Sequence, residues 1–144
     1  MSTDRWRGNW QVISPAGSVR VPLGRTRAAA RRAEEDVRRL PPETPVVIVA
    51  SAPRAASRCR RFTARTGIRV DREYLALPTA EAPAYLVEDA RASFATFVRT
   101  IPPAPSRGLL GVVQEAALSV VRAVRPRRLV RSTAAGRIIV GKRP

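Results

Sequence analysis

A chain of 144 residues fits one domain, and a domain near this size can bury about 70% of the surface its unfolded chain exposes. It carries 27 Lys and Arg against 11 Asp and Glu, a formal net charge of +16, with every cation except Lys142 an arginine. Such a field calls for an anionic partner: nucleic acid, an anionic lipid surface or a phosphorylated small molecule. One cysteine and no histidine exclude an internal disulfide, the usual zinc sites and every histidine-based triad or proton shuttle, so no metal is expected.

The wealth of arginine and alanine fits the codon bias of a GC-rich genome, which accounts for arginine over lysine but not for the shortage of acids. No apolar run approaches the roughly 18 residues of a membrane span, and the amino terminus lacks the apolar core of a signal peptide. The expected address is the cytoplasm, with peripheral attachment to a membrane left open.

Residues 1–8 are mostly polar and are expected to form a disordered tail, followed by a single α/β domain over 9–144. WQVI (10–13) and SVRVPL (18–23) flank Ser14-Pro15-Ala16-Gly17, with proline second and glycine fourth as a type I turn favours. This predicts an N-terminal hairpin from Trp10 to Leu23. Over Thr26–Leu40, Ala29, Ala33, Val37 and Leu40 form one stripe with Arg31, Glu34, Glu35, Arg38 and Arg39 elsewhere, predicting an amphipathic helix stopped by Pro41-Pro42.

VVIVA at 46–50 is a continuous apolar run, the pattern of a strand covered on both faces and the candidate for the sheet centre. Ala55, Cys59 and Phe62 then recur at helical spacing in a segment running to Arg65, with Gly67 placed for a C-terminal cap. Ile68–Leu77 starts with alternating polarity and reads as a half-covered strand. Together these predict a strand-helix-strand crossover with parallel strands.

Pro78 and Pro83 break the chain before a third helix, in which Asp89 can cap the first turn and Phe94, Phe97, Val98 and Ile101 share the core face. A fourth helix is predicted over Leu109–Val124, and Arg128–Arg131 and Arg137–Val140 are expected to pair as a terminal hairpin. The expected fold is therefore α/β: a small mixed sheet around a central crossover, with an N-terminal hairpin and a C-terminal helix plus strand. Within the domain, 9–104 form the core and 105–144 a basic C-terminal helix and hairpin.

The run from Leu40 to Pro78 resembles the C-terminal half of class I S-adenosylmethionine-dependent methyltransferase domains, which are Rossmann-like. Pro41-Pro42, VVIVA, the helix ending at Gly67 and IRVDREYL take the places of that family's turn, apolar strand, helix and mixed strand. RIIVGKR takes the place of its closing antiparallel strand. The family's cofactor cradle, an early strand followed by a glycine-rich turn with an acidic residue for the ribose, has no counterpart among the eight glycines. The resemblance implies a methyltransferase-like α/β module that is inactive alone, being a degenerate relative or a partner subunit. S-adenosylmethionine is then expected only where a partner supplies the site, and no cofactor for the isolated chain.

Gly24, Arg25, Thr26 and Arg27 lie where a strand gives way to a helix, so free backbone N–H groups and two guanidiniums can receive a phosphate or carboxylate. The commoner role for such residues is an easy turn with solvated arginines. Cys59, between Arg58 and Arg60, shares the apolar face with Ala55 and Phe62 and reads as a buried, inert thiol; Arg58, Arg60 and Arg61 read as solvated. Asp71 and Glu73 share one strand face at period two, and with Arg69 and Arg72 nearby they fit an ion-pair network better than acid–base catalysis.

From Ala116 onward there is no acid, while Arg122, Arg125, Arg127, Arg128 and Arg131 form a candidate basic patch. This patch supports an alternative function, a non-enzymatic basic protein binding nucleic acid or an anionic lipid surface. No aromatic residue follows Phe97, so the patch lacks a stacking platform for single strands. A protein partner, a homo-oligomer and an anionic small ligand all remain open as partners.

Overall fold

The computed structural model describes residues 13–51, 53–78, 80–81, 83–100 and 136–144. In chain order these are β1 (Val19–Leu23), α1 (Arg27–Arg39), β2 (Pro45–Ala50), α2 (Ala55–Thr66), β3 (Arg69–Pro78), β4 (Pro83–Glu88), α3 (Arg91–Thr100) and β5 (Gly136–Lys142). The predicted disordered tail, the helix over Leu109–Val124 and the patch Arg122, Arg125, Arg127, Arg128 and Arg131 lie outside the described residues.

Local chemistry sets the helix limits. The Thr26 hydroxyl accepts from Ala29 N at 3.2 Å and caps α1, which ends at Leu40 ahead of Pro41-Pro42. Gly67 closes α2 with φ +71°, the left-handed conformation that glycine adopts without strain.

The α/β class and the small mixed sheet are as expected. Five strands run in the order β1-β2-β5-β3-β4. β1 and β2 are parallel, while β5 is antiparallel to both β2 and β3, so β2 and β3 point the same way with β5 between them. The crossover is thus present, but the middle of the sheet belongs to β5 rather than to VVIVA. Alternate residues of β2 divide the core: Val46, Ile48 and Ala50 pack with Val37, Cys59 and Phe62, whereas Val47 and Val49 join Tyr74, Ile138 and Val140 on the other face.

Two expectations are corrected. In place of a hairpin from Trp10 to Leu23, β1 lies parallel to β2, and Ile13 is helical; residues 10–12 are outside the described set. The turn is one residue later than predicted, with Ser18 N donating to Pro15 O and Gly17 at φ +72° in the third position, as a type II turn requires. The predicted hairpin partner Arg128–Arg131 lies outside the described residues, and β5 pairs with β2 on one edge and β3 on the other.

One strand went unpredicted. β4 starts at Pro83, where a proline is tolerated because the first residue of an outer strand need not donate to the ladder.

Candidate anion-binding site

In a parallel pair followed by helices, the chain leaves each strand at the same edge and enters each helix there. Leu23 ends β1 and α1 begins at Arg27; Ala50 ends β2 and α2 begins at Ala55. The two helix N-termini therefore open together at the carboxyl ends of β1 and β2, and neither first turn contains an acid. Unpaired N–H groups and the positive ends of two helix dipoles meet at that edge.

The loops fit this geometry closely. A Cβ on Gly24 would collide with that of Ala29, so glycine lets the chain fold back over the first turn of α1. Arg54, the N-terminal flanking residue of α2, sits in the left-handed region at φ 59° and makes no side-chain cap bond. Backbone conformations of this kind in a non-glycine residue cost free energy and concentrate at ligand sites.

Arg58, one turn into α2, closes the floor. Its Nη1 donates to Leu23 O and Gly24 O, both at 3.2 Å, and its Nη2 donates to Ser51 O. One guanidinium thus ties the carboxyl ends of both parallel strands together. It was expected in solvent; its phase on α2 does turn it away from Cys59, but the strand-end carbonyls receive it.

Above this floor lies a cleft of about 640 Å³. Its α1 wall carries Arg25, Arg27 and Arg31, and its α2 wall Arg54, Arg58, Arg61 and Arg65. Glu34 is the one carboxylate among the described lining residues, held by Arg65 at 3.2 Å. All four residues of the sequence-predicted anion site, Gly24, Arg25, Thr26 and Arg27, line this space. The α2 wall escaped the sequence reading, although the spacing of Arg54, Arg58, Arg61 and Arg65 puts them on one helix face.

A second polar centre lies deeper. Arg137 Nη1 donates to Glu73 Oε1 and Asp89 Oδ2, both at 2.6 Å, joining β5, β3 and the end of β4. Glu73 therefore does enter an ion-pair network, but its partner is Arg137; Arg69 pairs with Glu43 instead. Asp71 does not share its face, because the β3–β5 register shifts between Val70 and Arg72. Asp89, expected as a helix cap, pairs with Arg137 through Oδ2.

Cys59 is fully buried, and that burial, followed by the charge of Glu73, pushes its thiol up to about 12. Its thiolate is therefore absent at neutral pH. Among the described residues no three His, Cys, Asp or Glu side chains gather as metal ligands. Nor is any described helix long and apolar enough to cross a membrane.

The fold and cleft define a small α/β protein with an open, cationic site at the carboxyl ends of its parallel strands. Comparison with family models, with curated proteins and with solved structures finds no match.

Proposed function

We propose that this chain is a methyltransferase-like α/β module that performs no chemistry alone, as a degenerate relative or partner subunit, and holds an anionic group of a small molecule in the arginine-lined cleft. The cleft carries the reading: seven arginines and two helix N-termini surround about 640 Å³ with a single, already paired carboxylate among the described lining residues. That volume lies within the roughly 300–1,000 Å³ common for small-molecule sites, and the crevice outside the carboxyl ends of parallel strands is where open α/β sheets bind ligands.

The antiparallel direction of β5 supports the methyltransferase-like part, since the resemblance expects RIIVGKR to run antiparallel. The cleft's chemistry supports inactivity alone. S-adenosylmethionine carries a sulfonium cation, which seven guanidiniums repel, and its ribose would need a carboxylate where Glu34 is engaged by Arg65.

Calorimetry on the full chain at low ionic strength tests this. Pyrophosphate is expected to bind with an affinity that falls as salt rises, and S-adenosylmethionine not to bind. Tight cofactor binding by the chain alone would overturn the proposal, as would the absence of any pyrophosphate heat. The alternative is a polymer-binding surface on Arg122, Arg125, Arg127, Arg128 and Arg131; against a polymer in the cleft itself stands the Glu34–Arg65 pair across its far end.

A further inference from the structure

The cationic walls of the cleft are longer than one phosphate needs. Both helices start at the carboxyl ends of β1 and β2 and run in the same direction, so their facing sides form a groove leading away from the strand ends. Arg27, Arg31 and Glu34 descend one wall at helical spacing, and Arg54, Arg58, Arg61 and Arg65 the other. From Arg54 to Arg65 the rise is about 16 Å. The Glu34–Arg65 ion pair at 3.2 Å bridges the walls and shows that they meet in register at that end.

The groove therefore has two unlike ends. At the strand end the helix N-termini, the Thr26 hydroxyl and Arg54 offer several N–H and O–H donors to one tetrahedral anion. Further along, backbone donors are absent because the helical ladder uses them, and Arg31 and Arg61 supply guanidinium charge and side-chain donors instead. At the far end the Glu34 carboxylate, with a side-chain exposure of 12%, faces any anion that extends so far. Donors at one end, cations along the middle and a carboxylate at the other match a short linear polyanion.

Resting on the anion-cleft reading above, we infer that the ligand class is a linear oligophosphate, a di- or triphosphate or an ester of one. Its terminal phosphate sits at the strand end and the rest of its chain between Arg31 and Arg61. Length is limited by the Glu34–Arg65 pair, so a continuous nucleic-acid backbone does not fit.

Calorimetry with phosphate, pyrophosphate and tripolyphosphate, against the parent chain and the variants Arg54→Ala and Arg61→Ala, decides the matter. Both residues are exposed, so the variants are expected to fold, which melting curves check. Affinity is expected to rise roughly tenfold per added phosphate. Arg54→Ala should weaken all three anions, whereas Arg61→Ala should weaken the two longer ones and leave phosphate within twofold. Equal affinity for the three anions would overturn the linear assignment while leaving the anion cleft standing. No binding of any anion would overturn the cleft itself. Duplex DNA that outcompetes tripolyphosphate and is lost with the same variants would overturn the small-molecule class in favour of nucleic acid.

Discussion

Arg137 Nη1 lies 2.6 Å from Asp89 Oδ2 with both side chains withdrawn from solvent, at 0% and 1% exposure. Glu73, at 28%, shares the same nitrogen from the neighbouring strand. Breaking a buried pair leaves a desolvated charge and costs about 3–5 kcal/mol, more than the pair contributes relative to apolar residues. Arg137→Met should therefore lower stability by roughly 3 kcal/mol, and adding Asp89→Asn should recover part of that loss. Urea denaturation measures both; a single-variant loss below about 1 kcal/mol would show that water reaches the cluster.

The Arg58 guanidinium ties Leu23 O and Gly24 O of the first strand end to Ser51 O of the second. Hydrogen bonds from a charged donor contribute about 1.5–3 kcal/mol, less where the site is half exposed. Arg58→Met is expected to cost roughly 2 kcal/mol and also to weaken pyrophosphate binding, because the floor of the cleft loosens. Arg58→Lys, a point charge that cannot span three carbonyls, should recover the binding only in part. Unchanged hydrogen exchange at Gly24 and Ser51 in Arg58→Met would argue against this brace.

The legible parts of this fold were those written locally. Thr26, Pro41-Pro42 and Gly67 mark helix ends through their own hydroxyl, ring or missing Cβ, so α1 and α2 fall where periodicity put them. β5 could be read as a strand but not placed, because inserting between β2 and β3 is a pairing across 60 or more residues of chain that no local pattern encodes. The extra residue at Asp71 likewise depends on the β5 register, which is why the period-two pairing with Glu73 failed. Half of the cleft was legible as Gly24–Arg27; the other half needed the topology that sets α2 beside α1. Arg137 stands in the acid-free stretch after Ala116, and only its apolar neighbours Ile138, Ile139 and Val140 hinted at its burial.

Cys59 titrates in a direction that makes stability depend on alkaline pH. Its folded pKa is raised to about 12 from 9.0, chiefly by burial. The unfolded chain therefore releases this proton first, so the contribution is fully present below pH 9 and is lost progressively as pH rises toward 12. Stability should fall more steeply above pH 9 in the parent than in Cys59→Ala, compared as changes from pH 8. A thiol reagent at pH 8 should react with the parent only at the rate of unfolding. Rapid labelling of the folded chain would contradict the burial.

At Gly141 a side chain has no room. An added Cβ would collide with the Arg69 carbonyl oxygen and lie 3.0 Å from Ile68 Cγ2, and the first contact is backbone that cannot swing aside. Gly141→Ala is expected to separate β5 from β3 locally, at a cost of about 1–3 kcal/mol. Gly17→Ala, where nothing lies within 4 Å, tests conformation alone at φ +72° and should cost about 1 kcal/mol. Equal costs at the two sites would mean that close approach is not what requires glycine at 141.

Thr26 joins the fold to the candidate function, since its hydroxyl oxygen accepts from Ala29 N while its proton remains available at the mouth of the cleft. Three substitutions separate these roles. Thr26→Ser keeps both and should change neither stability nor pyrophosphate affinity. Thr26→Ala removes the cap, costing about 1 kcal/mol, and also removes one donor to the anion, so both quantities fall. Thr26→Asp retains a good cap and keeps the helix stable, but places a carboxylate where an anion is to bind, so pyrophosphate affinity should drop roughly tenfold or more. Thermal melts and calorimetry on the same three proteins give the comparison. Stability retained with affinity lost in Thr26→Asp requires an anion at this helix start, because no purely structural role of Thr26 distinguishes the two readouts. An aspartate variant that binds pyrophosphate as well as the parent would place the anion elsewhere.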